Sequence, residues 1–169
     1  MAGYLRRFRE HGGSVHVPPH QISQRRVWMA IGKRYREEWD DLPAVKQDDD
    51  LKRGLAFMWW SVKRPRCMVA VLNSDLVAAL CYHVRLNTIE VEVAGSRRLE
   101  AAKGAGTALE FALAEEAVRR EMGVRSAYSW TAVNFHLRIG RRLDVRIGGS
   151  SDWTPDDCRF LVKGIKELL

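Results

Sequence analysis

An α/β fold built on one mixed sheet is predicted by three observations on this 169-residue chain. Three strand-like runs, at 67–72, 76–84 and 88–94, are joined only by Asn73-Ser74-Asp75 and Arg85-Leu86-Asn87. Connections that short require antiparallel neighbours, so the three form a meander. An alanine-rich helical run at 109–122 then separates the third strand from a further strand at 124–128. A crossover helix of that length returns the chain parallel to the strand it left. Finally, Lys103-Gly104-Ala105-Gly106-Thr107 lies between strand and helix, where an open α/β sheet places a ligand crevice.

Taken in order, residues 1–20 are polar, with Gly12-Gly13 and Pro18-Pro19 as breakers and a short strand at 14–17. Ser23 is placed to cap a helix running to about Asp40, whose apolar stripe is Trp28, Ile31, Tyr35 and Trp39. Leu42-Pro43 ends it. Asp48-Asp49-Asp50 opens a second helix with Leu51, Leu55, Met58 and Val62 on one face and Trp59 and Trp60 beside it. After the meander, 95–102 reads as a loop carrying Arg97 and Arg98. In the crossover helix Glu115 and Glu116 precede Arg119 and Arg120 by four residues, the favourable order for ion pairs, and Gly123 reads as the helix terminator. A short helix at 131–139, a strand at 142–147 and a closing helix begun by Thr154-Pro155-Asp156-Asp157 complete the chain. One domain spans 1–169, with a helical part at 1–66 and the sheet and ligand-binding core at 67–148.

Composition narrows the function. The net charge of +7, carried mainly by arginine, favours anionic partners such as phosphorylated cofactors, nucleic acid or acidic substrates. No continuous basic run appears and acidic residues are interspersed, which argues against a dedicated nucleic-acid binder while leaving nucleic acid open as a partner. No apolar run reaches membrane-spanning length, and the start has basic residues with no apolar segment behind them, so neither a membrane partner nor a signal peptide is expected. Cys67, Cys81 and Cys158 are odd in number and lack paired spacing. They point to a reducing, cytoplasmic setting and away from a disulfide scaffold or a thiolate metal site.

The glycine loop suits phosphate: backbone N–H groups there can approach a ligand, and the helix behind them favours negative charge. It is not a Walker A loop, because Lys103 precedes the glycines, nor a dinucleotide fingerprint, because Leu109 stands where the third glycine belongs. The competing explanation is a strand–helix turn that needs glycine only for close packing.

Two motifs together resemble the GNAT superfamily of acetyl-coenzyme A-dependent N-acetyltransferases. The family loop Q/R-x-x-G-x-G/A aligns with Ala101-Ala102-Lys103-Gly104-Ala105-Gly106. The second pattern, N-x-x-A-x-x-L-Y-x-x-x-G-F, aligns with Ser129, Ala132, Phe135-His136 and Gly140-Arg141. The resemblance covers about 66–148 and implies a GNAT-like mixed sheet, an antiparallel meander plus a splayed parallel pair, flanked by helices. It implies acetyl-coenzyme A as co-substrate, no metal, and an amine acceptor that is either a small molecule or a macromolecule. A homodimer is common in that family. Pantetheine would pair with backbone near Val91 and Val93, and pyrophosphate would rest on the amides of Lys103, Gly104, Ala105, Gly106 and Thr107. Arg97, Arg98 or Lys103 would supply charge where Ala101 replaces the usual Arg or Gln. Ser129 and Phe135 fall on the cofactor side of the second motif.

Acyl transfer to an amine needs a base for the nucleophile and a proton for the departing thiolate. Glu90 and Glu92 alternate with Ile89, Val91 and Val93 and so share one face; Glu92, nearer the strand's carboxyl end, is favoured as base over Glu90. His83 on the neighbouring strand is a second candidate. His136 occupies the position of the family's thiolate-protonating Tyr and is expected to act as general acid. Trp28, Trp39, Trp59 and Trp60 either pack the core or line the acceptor side. Two other readings stay open: a non-catalytic GNAT-like binding protein, and a GNAT-like protein acting on nucleic acid.

Overall fold

The computed structural model describes residues 1–17, 66–97, 99–127, 133–144 and 150–169. The expected helices at 23–40 and 48–62, and their tryptophans, lie outside the described residues.

The polar N-terminal stretch contains a helix that its composition hides, α1 (Ala2–Glu10). Only Leu5 and Phe8, three apart, are buried; six other positions are charged or small, so a simple polarity reading loses the stripe. Gly12 ends α1 at φ 81° while Gly13 N–H reaches Phe8 C=O and Gly12 N–H reaches Arg9 C=O, a Schellman closure. Strand β1 (Ser14–His16) follows as expected.

The meander is present as β2 (Arg66–Leu72), β3 (Asp75–Arg85) and β4 (Thr88–Ser96), paired antiparallel in sequence. Part of the expected loop at 95–102 is therefore strand, and a 3-10 turn at Glu100–Ala102 follows it. Helix α2 (Ala105–Arg120) starts at the glycine loop, and β5 (Gly123–Ala127) then runs parallel to β4. A short helix α3 (Val133–Arg138), strand β6 (Arg142–Asp144), strand β7 (Ser150–Trp153) and helix α4 (Pro155–Leu168) complete the described residues. The sheet order is β1-β2-β3-β4-β5-β7-β6.

Strand β7 was not legible from hydropathy. Ser150-Ser151-Asp152-Trp153 is polar, yet Ser151 and Trp153 alternate as its buried positions, because the Ser151 hydroxyl finds partners inside. Gly123 does not terminate α2 either. Glu121 does so, at φ 56°, with Met122 N–H on Ala117 C=O. Gly123 is instead the first residue of β5, where a Cβ would sit 2.8 Å from Trp153 C=O.

Helices α1, α2 and α4 cover one face of the sheet. Leu5 and Phe8 from α1, Leu109, Phe111 and Leu113 from α2, and Cys158, Val162 and Ile165 from α4 pack with Leu80, Tyr82, Ile89, Val91, Val124 and Trp153 in one cluster. Helix α4 is fixed by a capping box: Thr154 Oγ1 accepts from Asp157 N–H at 3.2 Å and Thr154 N–H donates to the Asp157 carboxylate at 2.9 Å. Of the two expected four-residue pairs, Glu116–Arg120 forms; Arg119 joins Glu116 as well, and Glu115 pairs instead with Lys166 of α4, at 2.9 Å.

Candidate active site at the split between β4 and β5

Parallel pairing of β4 with β5 lasts four residues and stops at Val91–Ser126. Beyond that point the strands have different partners. β4 runs on to Ser96 against β3, while β5 is taken up by β7 through Ala127. The divergence is built into β4 by a bulge. Tyr82 pairs with Val91 and Cys81 with Val93, so Glu92 is the extra residue. Strict alternation through Ile89, Val91 and Val93, expected from the sequence, therefore breaks after Val91: without the bulge Val93 would oppose Leu80. Val91 itself has ladder neighbours on both sides; past it, among the described residues, β4 pairs only with β3.

Glu92 stands exposed at that bulge, the first residue past the last β4–β5 pair. Glu90 is tied to Arg85, Nε to carboxylate 3.0 Å, and His83 lies opposite Glu90 in the β3–β4 register, half-buried. Of the two carboxylates, Glu92 is the one placed at the split.

The glycine loop reaches the same end of the sheet. Gly104 takes φ 103°, and a Cβ there would meet Tyr4 C=O at 2.3 Å. Close packing against α1 thus accounts for this glycine in full. Gly106 differs, since a Cβ would find only Ser96 Oγ, at 3.8 Å. Gly104 offers no side chain to cap α2, so the first-turn amides, from Ala105 to Thr107, face the loop without a side-chain acceptor from their N-cap. Ala105 and Thr107 side chains are buried. Lys103 is exposed and shares the Glu100 carboxylate with Arg7, at 3.2 Å and 2.8 Å respectively. That pairing lowers the Glu100 pKa, the Lys103 hydrogen bond contributing most. Arg97 is held by its backbone N–H on Val77 C=O. Arg98 and Ser129 lie outside the described residues.

His136 is where the expectation fails. It is buried at 6 % exposure, edge-on to Phe135, with Nδ1 2.7 Å from Ser151 Oγ. Burial, and then the positive charge of Arg141, push its pKa down to about 4. That leaves the ring uncharged at neutral pH, which argues against the imidazolium donor that its motif position suggests. The second cause, Arg141, is a residue whose role sequence reading missed. Gly140, at φ 79°, closes α3 with Arg141 N–H on His136 C=O, which turns Arg141 inward. Its guanidinium is fully buried, pairs with Glu110 of α2, and stacks 4.5 Å from the Trp153 ring centroid. Ser151 Oγ also reaches Ser126 C=O, at 3.5 Å, beside the last β4–β5 pair. The missed signal was a charged residue at the motif position where the family has Phe: burial there demands a counter-charge, and Glu110 is the only acid in the apolar stretch of α2 from Ala105 to Ala114.

The depressed pKa carries a sign. Between pH 6.5 and about 4 the unfolded chain takes a proton that native His136 refuses, so stability falls as pH drops through that window and is complete above it. Each unit is worth about 1.4 kcal/mol; with allowance for solvent screening, the loss attributable to His136 is about 1–2 kcal/mol. His136→Gln should flatten this part of the urea-midpoint profile, and a profile unchanged from wild type would refute the assignment.

The fold of this chain, a mixed seven-stranded sheet among the described residues, is similar to that of solved acetyltransferases. The chain superposes on the PaiA N-acetyltransferase from Thermoplasma acidophilum, in complex with coenzyme A, with a TM-score of 0.67 at 9 % identity, covering 83 % of this chain and 99 % of that one. The fold is that of the GNAT acetyltransferases. Tetrahymena GCN5 (TM-score 0.59, 11 % identity, 83 % and 93 % covered) and a GNAT acetyltransferase from Brucella melitensis in complex with acetyl-CoA (0.55, 9 %, 85 % and 88 %) share it too. No family model matches the sequence, and no curated protein matches it. The GNAT fold in this chain thus rests on three-dimensional likeness, as identities near a tenth imply. Among the described residues no group of side chains could hold a metal ion, and no helix is long and apolar enough to cross a membrane.

Proposed function

We propose that this chain is an N-acetyltransferase taking acetyl from acetyl-coenzyme A to a primary amine. The observation that carries the proposal is the split itself: a parallel ladder that stops at Val91–Ser126, with a bulge at Glu92 and the uncapped start of α2 at the same end. Coenzyme A would supply the activated thioester. The backbone of β4 near Val91 and Val93 would hold the pantetheine, and the amides from Lys103 to Thr107 the pyrophosphate. Glu92 would take the proton of the acceptor ammonium, directly or through water, because Glu90 is already neutralised by Arg85. Three free thiols agree with a reducing, cytoplasmic setting.

Calorimetric titration with coenzyme A, followed by thiol-release assays over an amine panel, tests this. Glu92→Gln should lower kcat about 10²–10⁴-fold while leaving coenzyme A affinity within about twofold. No coenzyme A binding at millimolar concentration would refute the reading.

A second reading is a GNAT protein that binds coenzyme A without turnover. It is favoured by one observation, the neutral buried His136 at the position of the family's proton donor. Binding with no thiol release from any amine would select it.

A further inference from the structure

The cysteines, scattered in sequence, are not scattered in space. Cys67 of β2 and Cys81 of β3 are directly opposed in the antiparallel register, and their sulfurs lie 3.0 Å apart. Opposed residues in such a ladder have Cα atoms about 4.5–5.5 Å apart, inside the range of about 4.4–6.8 Å that a disulfide spans. Closure therefore asks for side-chain adjustment and no change of register. The two thiols are also unequal. Cys67 is half-buried and Cys81 is buried. The hydrogen bond from Cys81 lowers the Cys67 pKa, while the same contact and burial raise that of Cys81. One sulfur is thus the readier thiolate and its neighbour holds the proton. Cys158 sits apart in α4, buried, with burial pushing its thiol up to about 11.

We propose that Cys67 and Cys81 form a peroxide-reactive pair that closes reversibly to a disulfide between β2 and β3. The Cys67 thiolate attacks one oxygen of hydrogen peroxide, the O–O bond breaks, and the displaced hydroxide takes up a proton to leave as water, giving a sulfenic acid at Cys67. The Cys81 sulfur then attacks the Cys67 sulfur, the S–O bond breaks, and the departing oxygen leaves as a second water with the Cys81 proton. Two thiols and one peroxide become one disulfide and two waters, the sulfurs supplying the two electrons. A small peroxide suits a half-buried thiol better than a bulky disulfide oxidant does. Cys81 pairs with Val93 on its other side, so the bond would form one register position from the Glu92 bulge. The proposal does not depend on the acetyltransferase reading.

The full reduced chain is treated with hydrogen peroxide, quenched, alkylated and measured by intact mass and non-reducing digestion. The expected result is loss of two hydrogens, a peptide pair joined through Cys67 and Cys81, recovery with dithiothreitol, and consumption of these thiols at least about tenfold faster than Cys158. Cys67→Ser should abolish the link. Cys81→Ser should leave a sulfenic acid on Cys67 that dimedone traps. Persistence of both thiols after peroxide, or accumulation of sulfinic acid at Cys67 of the wild-type chain without a link, would overturn the proposal.

Discussion

Replacing Arg141 by methionine should cost about 3–5 kcal/mol of folding free energy, because it leaves the Glu110 carboxylate buried and unpaired. Glu110 is 5 % exposed, and the guanidinium that neutralises it is wholly enclosed by α2, β7 and the Trp153 ring. Water cannot take over the lost partner. Glu110→Leu alone should be comparably damaging for the opposite sign of charge. Combining Glu110→Leu with Arg141→Met should restore much of the loss, since an apolar pair of similar volume avoids the desolvation of two ions. Urea midpoints of the two single variants and the double variant form the cycle that measures the coupling. Additive losses would mean that the pair is not coupled as described. The double variant also removes one of the two causes of the low His136 pKa, so that ring should titrate nearer its ordinary range while remaining depressed by burial.

Gly104→Ala is the second large effect. The position needs φ 103°, and the added carbon would lie 2.3 Å from a backbone oxygen of α1 and 3.2 Å from Phe8 Cβ. Left-handed strain of about 1–3 kcal/mol adds to overpacking of about 1–3 kcal/mol, for a total of roughly 2–6 kcal/mol. The backbone of α1 cannot yield by a rotamer change, so the helix must shift away from the loop. Gly106→Ala is the matched control: its Cβ would enter open space, and helix propensity predicts a change between zero and about 1 kcal/mol in the stabilising direction. Equal damage at both positions, read from thermal unfolding, would show that the loop is not wedged against α1 as described. The contrast also separates two meanings of the loop, since the first glycine is fixed by packing and the second is not.

The alternating apolar residues of β2 to β4, the short turns at Asn73-Ser74 and Leu86-Asn87, the crossover helix and the Thr154 cap were legible because each is written in neighbouring residues. The parallel return of β5 follows from the length of the crossover alone. The candidate site was legible in part: the order of elements puts the glycine loop at the start of the crossover helix and Glu92 on the strand before it, and the family resemblance implied the splay of the two strands. Strand β7, helix α1 and the bulge were not legible. β7 buries a serine, α1 buries two residues in nine, and the bulge inserts one residue without any change in composition.

By itself the sequence determined the meander, the crossover helix and the place of the loop, because hydropathy period, turn residues and caps act over a few residues. Tertiary structure alone decided that β4 and β5 part after Val91, that Gly104 is wedged against α1, that Arg141 pairs with Glu110, and that Cys67 faces Cys81. Each of these joins residues far apart in the chain. Desolvation, mutual charge and steric contact depend on distance in space, and no local pattern of residues encodes that distance.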